Sequence, residues 1–170
     1  MRSPPNMEPM QRARLASLFL SLLFGCTHAP HETARQIFDR TVREDHLLSA
    51  EVSGVEREKL LAQAATGYEQ VLRLGGNDRP LCASALRSLG NVRAEQGRLD
   101  EAVKLWSEVG SQYATCDWEV LQSWKSAADL LWDAGRRDDA TPFYRQIFER
   151  FRSAPSPIMR TVACAAQRRV

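Results

Sequence analysis

The sequence holds almost none of the vocabulary of a β-sheet. It has no alternating Val/Ile/Thr run bounded by turn residues and no Asn-Gly or Asp-Gly pair to seed a hairpin, so sheet architectures are set aside. Gly-rich phosphate loops, a nucleophile elbow and a His-Glu-x-x-His element are missing too, which removes the commonest signatures of nucleotide, acyl-transfer and zinc-hydrolase chemistry. Histidine is scarce, at three residues (His28, His31 and His46). No cysteine or carboxylate completes a metal-ligand spacing with His28 and His31, and the reading is that these two are solvated. Long apolar runs are also missing. The longest, Leu15 to Phe24, has ten residues, where a bilayer span needs roughly 20. Charge of one sign is lacking once the first 25 residues are set apart. Those carry Arg2, Arg12 and Arg14 against Glu8, which supplies the whole formal charge of +2. A neutral remainder lacks the concentrated basic footprint that a nucleic acid backbone requires.

What is present begins with an export signal. Arg12 and Arg14 precede the apolar run, and Gly25-Cys26 close it, in the order of a basic region, an apolar core and a small residue at the cleavage site. Met10 makes a tidier start to this region than Met1. The stretch Leu23-Phe24-Gly25-Cys26 resembles the bacterial lipobox, with Phe24 bulkier than the usual residue there. That resemblance implies a diacylglyceryl group on the Cys26 thiol, cleavage after Gly25 and acylation of the new amino terminus. Several acyl chains on one residue anchor stably, where one chain holds only marginally. Thr27, not Asp, follows Cys26, which resembles the default outer-membrane address of such lipoproteins.

Beyond residue 60 the chain repeats itself. Ala64-x-x-x-Tyr68-x-x-Val71, Ala102-x-x-x-Trp106-x-x-Val109 and Ala140-x-x-x-Tyr144-x-x-Ile147 follow one pattern, with alanines 38 residues apart. Offsets of four and seven put the three side chains of each segment on one helix face. A small residue one turn before an aromatic lets a neighbouring helix come close at the alanine. Gly97 and Gly135 mark turns, Asp138 is a predicted N-cap, and Pro142 is placed near the first turn of its helix. In the first copy Lys59 stands where the turn glycine belongs, so a separate helix near 32–48 is the expected partner of a helix at about 54–74.

The stretch from Leu89-Gly90 through Gly97 to Asp100-Glu101-Ala102 and Trp106 resembles the tetratricopeptide repeat. The third copy keeps Trp124, Ala127, Ala128, Gly135, Ala140 and Tyr144 at corresponding positions. The resemblance covers about 50–155 and is strongest over 85–150; it implies an all-α fold of antiparallel helix hairpins stacked as a short right-handed solenoid. The predicted organisation is a cleaved signal (1–25), a lipid-anchored tether with a first helix (26–49), a repeat domain (50–154) and a C-terminal capping helix (155–170). Ile158, Val162, Ala165 and Ala166 are the predicted apolar face of the cap, with Cys164 as a small buried residue among them. A cap covers the apolar end that a solenoid otherwise exposes.

Repeats of this family line a concave groove with their first helices. Carried over position by position, that implies partner-binding roles for Arg87 and Asn91 in the middle repeat, with Ser84, Ser88 and Glu95 nearby. In the third repeat it implies such roles for Lys125, Asp129 and Trp132, with Asp133 nearby. Arg87 and Asn91 resemble half of a clamp for a peptide carboxylate, but Asp129 stands where a second Asn would complete it, so a different ligand is expected. Trp132 is the expected aromatic anchor. Cys82 and Cys116 are placed in successive inter-repeat loops, where an oxidising compartment permits a disulfide. The acidic pairs Asp100-Glu101 and Asp138-Asp139 read as helix-start residues that favour the dipole, not as acid–base catalysts.

The expected function is non-catalytic: a membrane-anchored scaffold or assembly subunit in the cell envelope, facing the periplasm from the outer membrane. It holds an envelope protein or peptide segment in its groove, binds no nucleic acid and needs no cofactor beyond the covalent lipid on Cys26. The alternatives are a structural envelope lipoprotein that self-associates, and a ligand-binding or enzymatic lipoprotein.

Overall fold

The computed structural model describes residues 32–170, of which Thr33–Val170 form one compact unit. The proposed signal segment, Cys26, His28 and His31 lie outside the described residues. Helix α1 begins as Ala34–Arg40, continues through a π-helical segment, Thr41–His46, and ends in the turn Leu47–Ser49. It is followed by α2 (Gly54–Leu74), α3 (Arg79–Glu95), α4 (Leu99–Gln112), α5 (Asp117–Asp133), α6 (Arg137–Phe151) and α7 (Pro157–Gln167), with no strand among the described residues. Each helix packs on the next. Connections this short between touching helices force an antiparallel course. The result is the expected all-α stack: three hairpins (α1–α2, α3–α4, α5–α6) and a terminal helix.

Local sequence explains where the helices start and stop. Thr33 and Gln36 form a capping box at the start of α1, and the Asp78 carboxylate accepts the Leu81 N–H at 3.1 Å to open α3, with Pro80 in its first turn. Gly97 and Gly135, at φ +75° and +77°, end α3 and α5 in the left-handed region. The Arg98 and Arg136 amides then reach back to the Arg93 and Leu131 carbonyls at 2.9 Å, closing two equivalent caps. Space is no constraint at either glycine, since a Cβ there would meet nothing within 4 Å, so the backbone conformation alone selects the residue.

The three repeated triads form the spine of the core. Ala64, Tyr68, Val71, Ala102, Trp106, Val109, Ala140, Tyr144 and Ile147 are all buried. Close packing explains the Leu89-Gly90 pair: a Cβ on Gly90 would lie 2.5 Å from Trp106 Nε1, so the indole sits where only glycine leaves room. Trp106 Nε1 also donates to the Arg87 carbonyl at 3.1 Å, which satisfies the buried indole. Ala128 takes the place of Gly90 in the third repeat, opposite the smaller Tyr144 ring.

Several local expectations are corrected. Asp138 is not an N-cap: Arg136 occupies that position, and Asp138 and Asp139 lie inside the first turn. Pro142 falls deeper, in the helix interior of α6, so the Asp138 carbonyl lacks its usual i+4 donor there. Lys59 lies within α2, and the positive-φ glycine of the first hairpin is Gly54, at φ +62°. The helix therefore runs 21 residues, against 14 and 15 for α4 and α6, extending upstream past the point where its repeat counterparts turn. The buried residues of α7 are Ala163 and Ala166, backed by Met159 and Val162, while Ile158 and Cys164 are exposed. The apolar stripe is rotated by about one residue from the predicted face.

The stack has two distinguishable edges. One carries the start of α1 and the three inter-hairpin connections. Arg79 at the start of α3 donates to the Gln112 carbonyl at the end of α4, and Arg150 near the end of α6 pairs with Asp117 at the start of α5 at 2.7 Å. The other edge carries the turns within hairpins. There Arg136 pairs with Asp100 at 2.6 Å, joining the second and third hairpins, and Arg57 pairs with Glu95 at 3.1 Å, joining the first and second.

Candidate functional site: the groove of first helices

The side of the stack where first helices approach one another is its inner face. Besides the contacts within and between successive hairpins, α3 packs directly against α5, with no comparable contact from α2 to α4 or from α4 to α6. The predicted groove residues divide between two junctions on this face.

At the α3–α5 junction, Arg87 does not face open solvent. Its guanidinium pairs with the Glu119 carboxylate of α5, whose other oxygen accepts from Ser84 Oγ at 2.8 Å. Glu119 is thereby held by two α3 side chains and closes this part of the groove. Asn91 is half-buried and has no hydrogen-bond partner among the described residues. Ser88 is buried, with its hydroxyl near the Tyr68 phenol. Glu95 lies not in the groove but on the turn edge, where it meets both Arg57 and His46.

At the α5–α7 junction the groove is open. A cavity of about 310 Å³ lies between Lys125 and Asp129 on one side and Thr161, Val162, Ala165 and Arg169 on the other, floored by Tyr144 and Ile147. Lys125 pairs with Asp129 one turn on at 2.5 Å, and Tyr144 donates to the second Asp129 oxygen at 2.7 Å. The Tyr144 hydroxyl titrates well above its ordinary range, because burial and the carboxylate it bonds both disfavour the phenolate. The wall opposite Lys125 is mostly small and apolar, and Arg169 gives the far rim a second cation.

Trp132, expected as an exposed anchor, is half-buried. It meets Tyr144 edge-on at 5.9 Å, and the guanidinium groups of Arg137 and Arg169 stand 5.0 and 4.6 Å from its ring centroid. Its ring is thus engaged within the chain, and Arg169 stands against it at the cavity rim. Asp133 is exposed at the end of α5.

Cys82 and Cys116 are free thiols in the structure. Cys82 is buried in the first turn of α3 rather than in a loop, packed against Gly75, and Cys116 is the residue that opens α5. The Tyr113 phenol lies near Cys82 and Cys116. Burial raises the Cys82 thiol, which makes it a poorer nucleophile.

Sequence reasoning missed the groove residues that come from the far end of the chain, Thr161, Val162 and Arg169, and the closing carboxylate Glu119. It also missed His46, whose ring nitrogens contact Tyr68 Oη and Glu95 Oε1 at 2.9 Å each. Tyr68 is fully buried there and its pKa is pushed up to about 12, chiefly by that burial. Helical spacing could not reveal these contacts, because each joins residues tens of positions apart.

With the geometry in hand, comparison with known families agrees with the resemblance. A tetratricopeptide repeat family model matches residues 57–108, which takes in most of α2, all of α3 and most of α4. No curated protein matches the chain. Repeats of this kind are generally non-catalytic scaffolds that bind protein partners, so this stretch points to a protein–protein interaction role. Among the described residues no group of three His, Cys, Asp or Glu side chains is arranged to hold a metal ion, and no helix is long and apolar enough to cross a membrane.

Proposed function

We propose that this chain is a lipid-anchored interaction scaffold of the bacterial cell envelope, tethered through Cys26 to the outer membrane and facing the periplasm. A segment of another envelope protein docks in the groove of first helices. The observation that carries the docking half is the open α5–α7 junction. Its cavity is large enough for one bulky apolar side chain, and Lys125 and Arg169 on the rim, against Asp129 alone, favour an acidic neighbour on the partner. Such a pocket with an apolar floor and a few placed polar groups is the usual form of an anchoring site. The α3–α5 junction offers no equivalent, because Glu119 already occupies Arg87 and Ser84.

The anchoring half is supported by the lipobox-like Leu23-Phe24-Gly25-Cys26. Intact mass and membrane fractionation of the native protein beside Cys26→Ser test it. The native form is expected to begin at Cys26, carry acyl mass and leave the membrane on substitution; an unacylated protein retaining residues 1–25 overturns the anchor.

A further inference from the structure

The first hairpin continues past the point where the second one turns. His46 of α1 and Arg57 of α2 both meet Glu95, the last residue of α3, at 2.9 and 3.1 Å, and ten further residues, 47–56, join them. The second and third hairpins turn over 96–98 and 134–136 alone. The first hairpin thus ends in a tip that its neighbours lack.

That tip is apolar and acidic. Of the seven large apolar side chains exposed among the described residues, three stand here: Leu47 (62 % exposed), Leu48 (42 %) and Val55 (86 %). Residues 44–58 hold Glu44, Asp45, Glu51, Glu56 and Glu58 against one arginine, Arg57, which pairs with Glu95. The flanking cations are also engaged: Lys59 pairs with Glu56, and the Arg43 guanidinium donates to the Asp39 carbonyl. Glu44 and Glu51 are exposed about one turn before and one turn after the leucine pair, which puts a carboxylate on either side of it.

The open cavity at the α5–α7 junction has the complementary character. Ile147, Val162 and Ala165 make its interior apolar, and Lys125 and Arg169 stand at its rim. The one acid that lines it, Asp129, is taken by Lys125 and Tyr144. Residues 157–170, which supply the far wall, carry three arginines and no Asp or Glu. Within one chain the second hairpin separates the tip from the cavity, so the two can meet only between copies.

We infer that the occupant of the open cavity is a second copy of this chain: the Leu47-Leu48 tip of one copy seats in the α5–α7 cavity of the next, with Glu44 and Glu51 toward Lys125 and Arg169. This rests on the docking role proposed above for that cavity and names what fills it. Exposed apolar side chains grouped on one tip mark a contact surface, and the opposite charges select which surfaces pair. Two different surfaces meet, so the contact is head-to-tail. A row of copies keeps a free tip at one end and a free cavity at the other unless it closes into a ring. One tip in one cavity is a small interface, so association is weak and concentration-dependent.

The test uses the full chain in native membranes, with a photo-crosslinking residue at Leu48 or, separately, at Thr161. The expected result is an adduct of two copies from each position, with the Leu48 adduct mapped by mass spectrometry to α5 or α7 of the other copy. Copies carrying Glu44→Lys/Glu51→Lys, and copies carrying Lys125→Glu, should each lose the adduct alone and regain it when the two are co-expressed, with circular dichroism reporting that each stays folded. A Thr161 adduct with a different protein, and none between copies, overturns self-docking and leaves the docking role of the cavity standing. No adduct at all from Thr161 overturns that role and this inference with it. A two-copy adduct that joins Leu48 to the same tip of the other copy, or one that the charge-reversed pair does not restore, overturns the head-to-tail pairing.

Discussion

The α3–α5 and α5–α7 junctions are built from the same repeat face, yet one is shut and the other open. At the first, Gly90 admits the Trp106 indole, the indole bonds the Arg87 carbonyl, and Arg87 and Ser84 hold Glu119 across the gap. At the second, Ala128 and Tyr144 replace Gly90 and Trp106, the Tyr144 hydroxyl turns to Asp129, and the facing helix offers Thr161, Val162 and Ala165 where a charged partner would be needed to close the space. The difference shows that a repeat can keep its core triad and change its surface use through the helix that follows it. Here α7 packs on α6 and its small apolar residues leave a cavity toward α5.

That contrast can be broken hardest at the closed junction. Trp106→Ala empties a buried indole site beside Gly90, and the expected loss is about 3–5 kcal/mol in chemical denaturation, as for other buried aromatic truncations. A loss below about 1 kcal/mol would mean the junction is not closed by packing. Next in size, Tyr144→Phe removes the donor to Asp129 at the open junction and is expected to cost about 1.5–3 kcal/mol, the range for a hydrogen bond to a charged group. Gly97→Ala forces a Cβ into the left-handed region, at about 1–2 kcal/mol, with the same cost expected at Gly135 because the two caps are equivalent. Alkaline pH probes the two buried tyrosines, Tyr68 in the first hairpin and Tyr144 at the open junction. Tyr68 and Tyr144 have folded pKa values raised above the ordinary tyrosine value of about 10, so their contribution is intact below about pH 10 and is lost as pH rises toward the folded values. Urea midpoints should fall progressively above pH 10, with Tyr144→Phe falling less. Lys125→Ala, at an exposed ion pair, should change stability by only about 0–1 kcal/mol while weakening partner binding.

The architecture was readable from the sequence to the extent that it is periodic. The Ala-aromatic-aliphatic triads, the turn glycines and the hairpin count follow from spacing, because burial on a helix face repeats with the helix itself. The α1–α2 hairpin was less readable. Its turn glycine is displaced to Gly54, and Thr41–His46 departs from α-helical geometry where Thr41 presses on Gly67, leaving the buried Thr41 hydroxyl without a partner. The groove was read only in outline. Arg87, Asn91, Lys125 and Asp129 were placed on first helices, but their use depends on Glu119 and on the C-terminal residues, and no local pattern encodes a contact between elements so far apart.

We propose that the open junction, and not the closed one, receives the partner. A photo-crosslinking residue at Thr161, compared in native membranes with one at Asn91 and repeated in a Val162→Trp background that fills the cavity, tests it most directly. One protein adduct is expected from Thr161, lost with Val162→Trp while the fold stays intact by circular dichroism. The same adduct from Asn91, or one from Thr161 that persists with the cavity filled, would contradict it.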